Sequence, residues 1–252
     1  CFDLLYDVAP ASAMAAARSN GVALGLTLVE AGISVDCLPL LDLRHPGAHD
    51  IVGDRSLGGE PVRVAALGRA ILDGLTEAGV AGVLKHMPGH GRAMADSHHS
   101  LPIVHAEDAA LTADIAPFAT LAAQARMAMT AHVIYTAWDA EAPATWSAKV
   151  IGDIIRHRIG FDGLLMSDDI EMQALTGPVD QRAVRALSAG CDVVLHCSGD
   201  FAAMQGVADA VGIIAAMAKE RLERATHTLG LPDPKRLAAA IAHRDALLAL
   251  AA

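Results

Sequence analysis

The strongest constraint on the fold is a rhythm. A short apolar run, a polar loop rich in Gly or Pro, and an Ala-rich amphipathic stretch recur along the chain. Five apolar runs stand out, at 33–38, 80–84, 127–130, 163–166 and 192–195. Runs this short and continuous suit parallel strands buried on both faces. Helical stretches are expected between them, at 12–30, 61–78, 108–123, 147–158, 178–189 and 201–219, with Ser12, Asp108 and Ser147 placed to cap three of them. A last helix, over 235–250, follows the breaker Leu231-Pro232-Asp233-Pro234. The alternation predicts an α/β fold with right-handed crossovers. No linker or low-complexity tract divides the chain, so residues 1–252 are expected to form a single domain.

The ends of the strands are chemically distinctive. Asp42 follows the first run, Lys85-His86 the second, His132 the third, Ser167-Asp168-Asp169 the fourth and His196 the fifth. In a (β/α) barrel, functional groups come from the C-terminal ends of several strands. An open doubly wound sheet gathers its ligands at one switch point instead, and no GxGxxG follows the first strand here. The fold class expected is therefore α/β, a TIM-type (β/α) barrel. Only five of its eight strands are legible, so at least two opening units are expected upstream of Cys1. Without them the barrel is open, with an unpaired strand edge.

Charge and cysteine usage narrow the function. The net charge of −10 disfavours nucleic-acid partners and an anionic membrane surface. The apolar stretch 203–218 is interrupted by Gln205 and Asp209, so no membrane span is expected. Cys37, Cys191 and Cys197 lie in or beside apolar runs and lack CxxC spacing, which suggests buried free thiols and fits a reducing, cytoplasmic setting.

Five of the 12 histidines (His86, His90, His98, His99 and His105) fall between residues 86 and 105. A surface loop that happens to be His-rich explains such a cluster poorly. A metal site is a second reading, since imidazole is a common ligand, but the spacing matches neither HExxH nor a Cys/His zinc pattern. A third reading is proton transfer, with Asp96 orienting His98 and favouring its charged form. Asp168, at the tip of a buried strand, suits a nucleophile or an electrostatic stabiliser of a cationic transition state. The alternative for this segment is a helix cap, a role better suited to Asp169 than to Asp168. Asp42 and Arg55, at a strand end and in the loop beyond it, are candidates to hydrogen-bond a polyol or an acetamido group.

Taken together, Lys85-His86-Met87-Pro88-Gly89-His90-Gly91 and Asp96-Ser97-His98 resemble the β-N-acetylglucosaminidases of glycoside hydrolase family 3, the bacterial peptidoglycan-recycling type. Gly53-Asp54-Arg55-Ser56, Ala131-His132-Val133-Ile134-Tyr135, Ser167-Asp168-Asp169 with Met172, and Ala189-Gly190-Cys191-Asp192 support the resemblance in chain order, from about residue 20 to about residue 200. The resemblance implies Asp168 as nucleophile and His98 as general acid/base paired with Asp96. It implies Arg55, Lys85 and His86 as sugar-binding residues, with Asp42 and His132 expected beside them. It further implies a terminal β-linked N-acetylglucosamine, on a peptidoglycan-derived muropeptide, as substrate, with no metal or organic cofactor. The family's Asp-Gln-Glu-Gly-Gly-Arg type segment is not found, and its expected place is upstream of Cys1. One argument for the acid/base role is independent of the resemblance. A retaining mechanism needs a group that gives and then takes a proton, these loops offer no obvious Glu for it, and an imidazole of pKa ~6.5 is suited to the task. A phosphorylase, a non-catalytic sugar-binding protein, and a metal-dependent barrel enzyme using His86, His90 and His98 remain as alternatives.

Overall fold

The computed structural model describes residues 2–226 and 230–251. Five parallel strands form one sheet: β1 (Val35–Asp36), β2 (Ala81–Met87), β4 (Met127–Thr130), β6 (Leu164–Asp169) and β7 (Val193–Leu195), adjacent in that order. β3 (Ile103–Val104) and β5 (Ile134–Tyr135) pair separately, also in parallel. The order of the main sheet never reverses, so there is no switch point, and the sheet is a sector of a (β/α) barrel. Among the described residues β1 and β7 do not pair with each other.

Side-chain alternation gives the sheet two apolar faces. Val83, Met127 and Leu164 stand in register on what is the barrel interior, followed by Met129 and Met166. Leu222 and Ala225 of helix α7 (Ala216–Thr226) pack against this layer. The alternate residues Leu84, Ala128 and Leu165 face outward into the larger core. There they meet α2 (Pro10–Glu30), α3 (Pro61–Ala78) and α4 (Asp108–Leu121) through residues such as Ala17, Leu75 and Phe118. At the N-terminal ends of the strands, Asp192 accepts from Arg156 (2.7 Å), Arg221 (2.9 Å) and the Leu165 amide (2.8 Å), tying β6 and β7 to the helices around them.

All five expected strands are present, but their ends differ. The first pairs only over Val35–Asp36, whereas the second and fourth run on through Lys85-His86 and Asp168-Asp169. These polar residues therefore belong to the strands rather than to the loops beyond them. The helix expected over 201–219 is two, α6 (Phe201–Val211) and α7, separated at Gly212, whose φ of +66° ends the first. A short helix, α1 (Phe2–Val8), precedes α2, and Pro10 rather than Ser12 opens α2. Glu107 takes the cap position of α4, while the Asp108 carboxylate accepts from Trp138 Nε1 (2.6 Å) and from Arg158. Ser147 does cap its helix, accepting from the Val150 amide at 3.0 Å. α5 (Val179–Ala189) and α8 (Pro234–Leu248) lie close to their expected ranges. Of the cysteines expected to be buried, only Cys191 is. Cys37, just past β1, is half-buried, and Cys197, in the loop past β7, is exposed.

Candidate active site

The strand register slips in two places, between Leu84 and Met87 of β2 and between Met166 and Asp169 of β6. Such irregularities re-aim side chains. They fall on Lys85-His86 and on Ser167-Asp168, and of these Lys85, His86 and Asp168 line a cavity of about 120 Å³ at the C-terminal end of the sheet, while the Ser167 hydroxyl is buried and accepts the Leu195 amide (3.0 Å). Ile51, Val52, Arg55, His90, Ser97 and His98 complete its lining. The proton-transfer candidate and the nucleophile candidate thus border one space, although 70 residues separate them in sequence.

Beneath the cavity lies Asp42, which has no exposed surface. Its carboxylate accepts from His86 Nδ1 (2.7 Å), the His86 amide (3.2 Å) and the His90 amide (2.7 Å). Burial pushes the Asp42 carboxyl up, but the His86 ring and these donors outweigh it and hold it below the usual carboxylate range. A carboxylate can only accept, so Nδ1 of His86 carries the proton of that bond and the ring orientation is fixed. His86 Nε2 then stands 3.8 Å from Asp168 Oδ2.

Asp168 also accepts the Asp169 amide at 2.8 Å. Burial again opposes its charge. The combined pull of His86, His132, that amide and Lys85 wins, and the carboxyl lies below its ordinary value. The group is held as an anion in a confined site, the state a nucleophile needs. Asp169 lines no part of the cavity and accepts the Glu171 amide (3.1 Å) within a turn; the helix it was expected to cap is not there, since the next one begins at Val179 with Pro178 in the cap position.

Two expectations are corrected. Asp42 and His132, expected among the sugar-contacting residues, are fully buried and line no part of the cavity. Both sit behind residues that do. His132 is clamped between Thr145 Oγ1 (2.7 Å) and the Asp169 carbonyl (2.9 Å), so it braces the end of β6, and burial lowers its pKa.

The loop over 94–100 closes the other side. Asp96 Oδ1 accepts from both the amide and Nδ1 of His98, each at 2.8 Å. Slight burial opposes the Asp96 charge, yet the two His98 donors and the nearby rings of His98 and His99 hold its carboxyl low. With Nδ1–H committed to Asp96, Nε2 of His98 is the nitrogen left to exchange a proton with a ligand. The His98 side chain is 55% exposed, against 16% for Asp168.

Several residues that build the site are not among the expected catalytic or sugar-binding groups. His90, 3% exposed, places Nε2 3.0 Å from Ser97 Oγ. Asp114 of α4, 2% exposed, accepts from Arg92 Nε (2.6 Å) and pairs with His45 Nε2 (2.6 Å). Tyr135 donates to the Gly89 carbonyl (2.8 Å). Gly91 crosses the chain after Asp42 so closely that a Cβ there would lie 1.9 Å from the Leu43 carbonyl oxygen, which explains the glycine. A charged residue among Leu111, Ile115 and Phe118 was the one signal for Asp114 in the sequence. Among the described residues, no three His, Cys, Asp or Glu side chains converge as metal ligands. Nor is any described helix long and apolar enough to cross a membrane.

Comparison with known proteins matches residues 7–229 to the family described as glycosyl hydrolase family 3 N terminal domain. The chain is 41% identical to a beta-hexosaminidase of Aromatoleum aromaticum over 202 residues, covering 79% of this chain and 56% of that protein. It is 40% identical to a beta-hexosaminidase of Bordetella pertussis, covering 79% and 57%. Among solved structures, NagZ from Neisseria gonorrhoeae in complex with N-trifluoroacetyl-D-glucosamine superimposes with a TM-score of 0.84 at 30% identity, over 100% of this chain and 75% of that one. A glycoside hydrolase family 3 beta-N-acetylglucosaminidase from Paenibacillus sp. str. FPU-7 gives 0.73 at 31% identity, over 93% and 43%. The chain spans just over half the length of these curated relatives. With its strand-end residues in this arrangement and its family match running nearly end to end, the chain belongs to glycoside hydrolase family 3 and carries the family's N-terminal domain.

Proposed function

We propose that the protein is a retaining exo-glycosidase that removes terminal β-linked N-acetylglucosamine. The observation that carries this reading is the shared cavity, in which a carboxylate held ionised at Asp168 and a carboxylate-paired imidazole at His98 face one space. The named activities of the relatives support the sugar. In the first step Asp168 attacks the anomeric carbon while His98 Nε2–H protonates the departing glycosidic oxygen, leaving a glycosyl ester on Asp168. In the second, neutral His98 takes a proton from water, the hydroxide displaces the carboxylate, and the sugar leaves with its original anomeric configuration. Asp96 stabilises the imidazolium at the start and end of the cycle. Arg55, Lys85 and His86 are the sugar-binding groups, and Asp42 and His132 hold them and β6 in place. Peptidoglycan-derived muropeptides are the proposed natural substrates. The setting is cytoplasmic, a reading supported by free thiols at Cys37, Cys191 and Cys197.

The test is hydrolysis of p-nitrophenyl N-acetyl-β-D-glucosaminide followed by proton NMR of the first product. The β anomer of N-acetylglucosamine should appear before mutarotation. Initial release of the α anomer, or saturable sugar binding without turnover, would contradict the reading. Turnover that rises with phosphate and yields the sugar 1-phosphate would reassign the protein as a phosphorylase.

A further inference from the structure

The residues of the 94–100 loop face outward with one exception. Ser97 is 3% exposed, while its neighbours Asp96 and His98 lie at 18% and 55%. The Ser97 hydroxyl turns inward and meets His90 Nε2 at 3.0 Å. His90 is itself fixed by its amide on Asp42 (2.7 Å) and by the turn in which the Ala93 amide returns to its carbonyl (3.0 Å). The turn before it is anchored by Tyr135, which donates to the Gly89 carbonyl (2.8 Å). From the other side, the amides of Gln173 and Ala174, beyond β6, donate to the carbonyls of His98 (3.2 Å) and Ser97 (3.3 Å). Asp96 and His98 bond chiefly to each other, and neither the exposed His98 ring nor the part-buried Asp96 carboxylate ties the loop to the barrel beneath it. A buried hydroxyl–imidazole bond is therefore the main side-chain link between the loop and the barrel end.

We propose that His90 and Ser97 form a latch, as positioning residues that hold the loop closed so that His98 Nε2 is presented over the cavity opposite Asp168. The latch connects both halves of the site through one carboxylate, because Asp42 binds the His86 ring beside Asp168 and the His90 amide behind Ser97. Opening the latch leaves the Asp168 side intact and withdraws the proton donor. This rests on the reading of His98 as acid/base for the closing of the site over a sugar; the latch itself is a statement about the loop.

Two readouts separate the latch from that reading. In Ser97→Ala, hydrogen-exchange mass spectrometry should show the amides of 96–100 exchanging about tenfold faster or more, with the amides of β6 unchanged. Ser97→Thr, which keeps a hydroxyl, should restore protection. In kinetics, kcat/KM of Ser97→Ala should fall about tenfold on a β-linked disaccharide, whose leaving group needs a proton, and less than threefold on the p-nitrophenyl glycoside, whose leaving group does not. His90→Gln should behave likewise, and the double variant should be no worse than either single one. Unchanged exchange at 96–100 in Ser97→Ala overturns the latch whatever the enzyme's activity. Faster exchange with equal losses on the two substrates keeps the latch and overturns the acid role of His98.

Discussion

The two halves of the site are built on different principles. On one side, Lys85, His86 and Asp168 stand on strands, and buried Asp42 and His132 back them. On the other, Asp96 and His98 ride a loop and bond mainly to each other. The strand side holds charge by enclosure, where each ion is costly to bury and is retained because its partners outweigh that cost. The loop side leaves the His98 ring open to solvent, as suits the proposed acid/base, which has to deliver a proton and later take one from water. A nucleophile benefits from a fixed position and a fixed charge, whereas an acid/base must change its charge twice in each cycle.

The predictions follow this contrast in order of size. Asp168→Asn neutralises the proposed nucleophile without changing its shape and should cut turnover by about 10⁴-fold or more on any leaving group, measured as initial rates on the aryl glycoside. His98→Ala should lower kcat/KM on an unactivated disaccharide by about 10²–10⁴-fold and on the aryl glycoside by less than tenfold. Equal losses would erase the functional distinction between the halves. Asp42→Ala strips three donors of their buried partner and should cost about 3–5 kcal/mol in urea unfolding. Asp96→Ala, in a pair at the surface, should cost no more than about 1 kcal/mol.

In size, the pH dependence of stability falls between these last two effects. His90 is buried, and burial together with the His86 charge lowers its pKa to about 4. The unfolded chain takes up a proton near pH 6.5 that the folded chain refuses until pH 4, so this contribution is complete above pH 6.5 and lost as pH falls towards 4, by up to about 3 kcal/mol. His132, lowered by burial, adds in the same direction. The carboxylates of Asp42, Asp96 and Asp168 have folded pKa values below their unfolded ones, so their stabilising contribution is intact above pH ~4 and disappears below it. Urea midpoints at pH 7 and pH 4.5 should therefore differ more for the wild type than for His90→Gln.

Much of this was legible in the sequence because the relevant signals are local. Continuous apolar runs mark strands buried on both faces, and 127–130 matches β4 residue for residue. Of the five histidines in 86–105, His86, His90 and His98 line the candidate cavity, and Asp96 and His98 lie two residues apart, within reach of one another in any loop. What was not legible depends on distance in sequence. Asp42 and Arg55 look alike as polar residues near one strand, but only coordinates show Asp42 enclosed beneath His86 and Arg55 lining the cavity. His132 ends its strand as an apparent ligand contact, yet its ring is taken up by Thr145 and by the carbonyl of Asp169, 37 residues on. Strand limits were missed where polar residues continue the ladder, since apolarity is a proxy for burial and Lys85 and Asp168 break it. β3 and β5, at two residues each, are too short to leave a periodic signal.

The most direct test of the shared-cavity mechanism is covalent trapping. The protein is treated with a 5-fluoro-N-acetyl-β-glucosaminyl fluoride, which forms a glycosyl-enzyme quickly and hydrolyses slowly, and is then digested and mapped by tandem mass spectrometry. One sugar should be found, on the peptide containing Asp168 and on that side chain, and His98→Ala should still be labelled because fluoride leaves without a proton. Labelling of a different carboxylate, or turnover of substrate by an enzyme that never acquires the sugar's mass, would contradict the account.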